Sequence, residues 1–162
     1  MSKLLIIFST IVVLCHGSRE SEESHAWSHE SHESEKDDDK RYTLYCPNNK
    51  PNFFSAFRLC MDSYQVLATD ESREDSKKLA KLLADKNVRQ PVWLSGTDLG
   101  QPGSWIWLSI MLPVGGVSNY VRWDDNVHNP SGCMTAELDD NHIKWSPKPC
   151  SQTACYVCQS FG

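Results

Sequence analysis

Cysteine is the residue that most narrows what this 162-residue chain can fold into. Seven occur, and Cys15 falls in an N-terminal leader, which leaves Cys46, Cys60, Cys133, Cys150, Cys155 and Cys158. An even set in an exported chain reads as a disulfide framework, with the pairing open on the count alone. A metal cluster built on the C-x4-C-x2-C run Cys150, Cys155, Cys158 is the rival reading. Zinc sites of that kind draw ligands from two paired knuckles, and no second CxxC occurs. Export itself is read from Lys3 and the apolar run Leu4 to Cys15, with small residues at Cys15 and Gly17 placing cleavage near Gly17–Ser18. A bilayer span takes roughly 20 apolar residues, so this run is too short to anchor the chain. The expectation is a secreted, extracellular protein with no membrane span.

Charge divides the rest of the chain in two. Residues 18–41 carry nine acids against four bases, whereas 42–162 carry twelve against eleven. The globular part has no basic stripe, which argues against nucleic acid as a partner. Residues 18–41 are Ser, Glu, Asp and His around the single apolar Trp27. They offer too little apolar surface to offset the entropy of ordering and are expected to be disordered. One domain is expected over 42–162.

Within it, Tyr42 to Tyr45 reads as a short strand. Asn52 caps a helix with Phe53, Phe57 and Cys60 facing inward and Phe54 beside them. Ser72-x-x-Asp75 resembles a capping box and opens a second helix to about Lys86, with Leu79, Leu82 and Leu83 on one face. Pro91 ends helical structure. Strands are expected at Val92–Ser95, Ser104–Leu108, Asn119–Trp123, Cys133–Leu138, His142–Trp145 and Ala154–Gln159. Two helices followed by short strands make an α+β domain.

The order Asn52-Phe-Phe-Ser-Ala56, Cys60, Leu67-Ala68, Glu74, Trp93-Leu-Ser-Gly-Thr-Asp98, Gly103-Ser-Trp-Ile-Trp107 and four late cysteines resembles a C-type lectin-like domain, of the secreted single-domain insect type. Trp145, five residues before Cys150, matches the family's late tryptophan. The match spans Tyr42 to Phe161. It implies a C-type lectin-like fold, with two helices packed on small antiparallel sheets, a long loop region and disulfide staples. It also implies the pairs Cys60–Cys158 and Cys133–Cys150, leaving Cys46 with Cys155. A loop of about a hundred residues closed by Cys60–Cys158 is worth ~4–5 kcal/mol of chain entropy.

Family members that bind sugar hold a calcium ion with a Glu-Pro-Asn or Gln-Pro-Asp triplet in the long loop and the Asn-Asp of a Trp-Asn-Asp triplet. Calcium takes six to eight oxygens, some of them carboxylates. Here Trp145 is followed by Ser146-Pro147, and the segment between Trp123 and Cys133 has no such triplet. The standard calcium ligands are therefore absent, so no cofactor is assigned, with calcium left open as the one candidate. Asp124, Asp125, Asn126, His128 and Asn129 nevertheless crowd one loop and are the ligand-binding candidates, although the same residue types also make ordinary turns. Trp93, Trp105 and Trp107 are expected in the core rather than as sugar-stacking platforms.

In the tail, His25, His29 and His32 alternate with acids and could hold zinc or copper, but the segment lacks a scaffold to fix ligand geometry. Lys40–Arg41 is a dibasic pair at which the tail could be removed. No catalytic motif occurs, and His142 beside Asp139 and Asp140 reads as an exposed edge, so an enzyme is not expected. The partner is then a glycan, as the resemblance implies, or an extracellular protein bound without calcium.

Overall fold

A computed structural model describes residues 40–127 and 131–162. The leader at 1–17, the tail histidines and two loop candidates, His128 and Asn129, lie outside the described residues. The elements run β1 (Arg41–Tyr45), α1 (Phe53–Asp62), β2 (Val66–Leu67), α2 (Arg73–Asp85), β3 (Val92–Thr97), β4 (Ile106–Trp107), β5 (Leu112–Pro113), β6 (Cys133–Asp139), β7 (His142–Lys148) and β8 (Cys155–Ser160). This is the C-type lectin-like α+β fold.

β3 and β8 form the centre. β8 pairs antiparallel with β1 along one edge, from Arg41↔Ser160 to Tyr45↔Tyr156, so the first and last strands lie side by side. Its other edge is shared by β2 and by β3, the latter running parallel to it. β3 also pairs with β4 and β6, and β6 pairs with β7 along its whole length.

Alternation along these strands builds two cores. Val92 and Leu94, Val157, and Met134, Ala136 and Leu138 pack with Leu79 and Leu83 of α2. The intervening Trp93, Tyr156, Cys158 and Cys133 pack with Phe53, Ala56 and Cys60 of α1. Neighbouring strand residues point to opposite faces, so the sheet is clad by one helix on each side. That is why every residue of β3 is buried and the strand reads as continuous rather than alternating.

Both helices start where their caps place them. Asn52 Oδ1 accepts the Ser55 N–H at 2.9 Å, and Ser72 Oγ accepts the Asp75 N–H at 3.0 Å. Asp75 does not return the bond to Ser72: its Oδ2 accepts the N–H of Glu71 instead. α2 ends with Asn87 in the left-handed region, φ 52°. The inward stripe of α1 is Phe53, Ala56 and Cys60; Phe54, expected beside it, is 52% exposed.

Further differences from the sequence-based expectation lie among the strands. Asn119–Trp123 is not a strand: Asn119 sits at φ 54° and only Trp123 bridges, to Trp145. Of Ser104–Leu108 only Ile106–Trp107 pairs, while the short β2 and β5 were not expected. The first strand begins at Arg41, and Lys40 before it is buried, so these two residues belong with the sheet rather than with the acidic tail.

Disulfides join Cys46 to Cys155, Cys60 to Cys158 and Cys133 to Cys150, the same pairs that the resemblance implies. The last closes the region beside Gly132, which sits at φ 123°; a Cβ there would stand 2.7 Å from the carbonyl oxygen of Lys148. Since backbone cannot give way as a side-chain tip can, Gly132→Ala should destabilise the domain by about 2 kcal/mol or more. Thermal melts of the two proteins check this, and an unchanged midpoint refutes it.

Candidate functional site

The long loop region runs from the end of β3 to the start of β6 and is pinned at both ends by one carboxylate. Asp98, buried, accepts the N–H of Gly103 at 2.8 Å through Oδ2 and that of Gly132 at 2.7 Å through Oδ1. Inside the region, aromatic side chains make the floor. Trp145 and Trp107 are fully buried with ring centroids 5.4 Å apart and edge to face, and the half-buried Trp123 packs on Trp145 and Trp105. Trp93, Trp105 and Trp107 are buried in the core.

The floor rests on a buried polar network. The Trp145 indole N–H donates to Asp70 Oδ2 at 2.8 Å, Ser76 Oγ donates to the same carboxylate, and the Tyr120 hydroxyl donates to Ser76 Oγ at 2.7 Å. Burial pushes the Asp70 carboxyl up to about 7, against the lowering effect of the Ser76 and Trp145 bonds. Beside it Lys40 Nζ reaches Asp75 Oδ2 at 2.8 Å, Glu71 Oε2 at 3.1 Å and Thr69 Oγ1 at 3.2 Å. Burial pulls the Lys40 ammonium down, but Asp75 and then Glu71 outweigh it and leave its pKa raised. None of this was read in the sequence; the one trace was an Asp where a capping box carries Glu.

Of the loop candidates, the structure brings Asp124 and Asn126 together. Backbone bonds between Trp145 and the Arg122 and Asp124 flanks of Trp123 hold the segment against β7. Asp124 Oδ1 then accepts both the backbone N–H of Asn126 at 2.8 Å and its side-chain amide at 2.9 Å, an Asx turn. Its Oδ2 faces Lys144 Nζ at 3.6 Å, and the same ammonium bonds Asp139 at 2.7 Å. The Asn126 bonds, with a smaller contribution from Lys144, hold Asp124 below the usual carboxylate range, and the Asp139 bond holds Lys144 above its own. Asp125 and Asn126 are exposed at the turn.

The described residues of this loop do not fit a calcium ion. The Asp124 carboxylate is shared between two amide donors and an ammonium, so a cation arriving there meets a positive charge already in place. At the neighbouring strand Ser146 supplies a single hydroxyl and Pro147 none, where calcium needs a set of carboxylate and carbonyl oxygens.

Comparison with known proteins agrees with the fold. The family model for the lectin C-type domain matches residues 49–160. Protein A16 of Anopheles gambiae is 34% identical over 65 residues, which cover 39% of this chain and 34% of that protein. The matched stretch thus spans about a third of that relative's length. The mouse scavenger receptor C-type lectin carbohydrate-recognition domain superposes with a TM-score of 0.59 at 23% identity, over 76% of this chain and 91% of that one. A calcium-independent type II antifreeze protein superposes with a TM-score of 0.59 at 19% identity, over 76% and 87%. With its family model spanning most of the domain and its two-helix, three-disulfide architecture in place, this chain belongs to the lectin C-type domain family.

Proposed function

We propose that the domain is an extracellular, non-catalytic recognition module that takes its ligand without calcium. One observation carries the reading: Lys144 Nζ lies between Asp124 and Asp139, so the Asp124 carboxylate of the candidate loop already faces a cation of the chain itself. The Ser146–Pro147 step supports it by removing the carboxylate and carboxamide that the family places after its late tryptophan. The fold tolerates such a loss, since a structural neighbour is described as calcium-independent. Placement outside the cell is supported by the leader and by three disulfides, which persist in oxidising compartments. The ligand is a glycan or an extracellular protein surface.

Titrating calcium calorimetrically into the chain from Ser18 onward should give no binding heat up to millimolar calcium. A glycan array should read the same with and without chelator. Micromolar-to-millimolar calcium binding, or array signals that vanish with chelator, would overturn the reading.

A further inference from the structure

A cleft of about 230 Å³ opens between the first turns of α2, the segment before Trp123 and the β6–β7 turn. Arg73, Lys77, Tyr120, Arg122, Asn141 and His142 line it. Three permanent cations and a histidine thus converge from three separate stretches of a domain that is close to neutral over 42–162. The rest of 42–162 carries eight bases against twelve acids, so the cluster runs against the domain's remaining charge.

Two of the three permanent cations are not spoken for. Lys77 pairs with Glu74 on the open face of α2 at 3.2 Å. Among the described residues Arg73, Arg122 and His142 make no ion pair. Of the two acids on the turn, Asp139 is held by Lys144, and Asp140 is exposed to solvent. Arg122 Nε is enclosed by protein and has no hydrogen-bond acceptor among the described residues. A buried donor in that state costs about 1–3 kcal/mol, and no described internal partner holds this guanidinium away from the cleft it lines. A guanidinium fork matches an oxyanion with two parallel N–H bonds.

The rest of the cleft suits a sugar carrying such a group. Tyr120 gives a flat face, fixed because its hydroxyl donates to Ser76 Oγ, which is itself anchored on Asp70. Asn141, held at φ 68°, puts a carboxamide that both donates and accepts at the rim.

We propose that this cleft binds an oxyanion carried on a saccharide, a sulfate ester or a uronate carboxylate, so that the ligand of the module is an acidic glycan. The proposal rests on the reading of the domain as a recognition module and names its ligand class. The test uses the chain from Ser18 onward and three probes: a defined sulfated tetrasaccharide, its desulfated uronate counterpart, and inorganic sulfate. Whichever tetrasaccharide binds identifies the oxyanion. Arg122→Gln and, separately, Arg73→Gln should weaken it by about tenfold or more, as loss of a charge-assisted hydrogen bond demands. Lys81→Gln removes an exposed charge elsewhere on α2 and should change affinity less than about twofold. Arg73 is exposed, so that variant stays folded even if Arg122→Gln does not.

Equal losses in all three variants reveal diffuse attraction and overturn the proposal, as does binding of inorganic sulfate alone with the same affinity as the tetrasaccharide. Preference for an acidic peptide over both oligosaccharides overturns it in favour of a protein partner. An array that responds to neutral sugars irrespective of chelator overturns the cleft alone. Acidic-glycan binding abolished by chelator overturns the cleft and the calcium-free reading together.

Discussion

Replacing Cys60 and Cys158 by alanine should cost about 3 kcal/mol of chain entropy, well below the ~5 kcal/mol of an isolated hundred-residue loop. The reason is the second staple. Cys60–Cys158 and Cys46–Cys155 span 98 and 109 residues, but they nearly coincide. With Cys46–Cys155 intact, the ring that Cys60–Cys158 closes runs only from Cys46 to Cys60 and from Cys155 to Cys158, about 17 residues in all. Removing Cys46–Cys155 alone opens the same ring and the same entropy. Packing then ranks the two: Cys60 and Cys158 are both fully buried and their loss leaves the larger void, whereas in the other pair Cys155 is buried and Cys46 exposed. Removing both frees the large loop as well, for a total of roughly 8 kcal/mol. That is comparable to the whole stability of an ordinary domain, about 5–15 kcal/mol, so the quadruple variant should be largely unfolded at body temperature. Urea unfolding followed by circular dichroism measures all three. A quadruple loss equal to the plain sum of the two doubles counts against a shared ring.

The same overlap shows why cysteine made so much of the fold legible and where its reach ended. Six cysteines and the order of Trp93-Leu-Ser-Gly, Trp105-x-Trp107 and Trp145 locate strands that meet in the core, because burial on both faces of β3 forces an apolar run that stands out in any sequence. Caps at Asn52 and Ser72 are local chemistry and equally plain. Asn119–Trp123 misled because its aromatics Tyr120 and Trp123 pack on Trp145, with the Tyr120 hydroxyl bonded to Ser76, while Val121 between them is exposed. The candidate site was legible only as a loop. Asp124 and Asn126 do meet, but the ammonium that decides their chemistry comes from Lys144 on another strand. Arg73, Lys77, Arg122 and His142 likewise share no local pattern; only the tertiary fold gathers them.

Lys40→Met should destabilise the domain by about 3–5 kcal/mol, as much as truncating a large core side chain. The side chain is almost wholly enclosed, and its ammonium is the counter-charge for Asp75, itself 6% exposed, and for the half-buried Glu71. Methionine keeps the stem's volume and strands a carboxylate away from water. Adding Asp75→Asn removes that charge while leaving an oxygen to accept the Glu71 N–H, so the double variant should recover at least about half of the loss. The pairing also bears on processing at Lys40–Arg41. A chain beginning at Tyr42 lacks the ammonium and the Arg41↔Ser160 pairing as well, so it should melt no higher than Lys40→Met. Cleavage there thus works against the fold it borders. The competing outcome is that the segment before β1 frays and lets water reach Asp75. In that case Lys40→Met unfolds within about 1 kcal/mol of the parent and the Asp75→Asn rescue disappears.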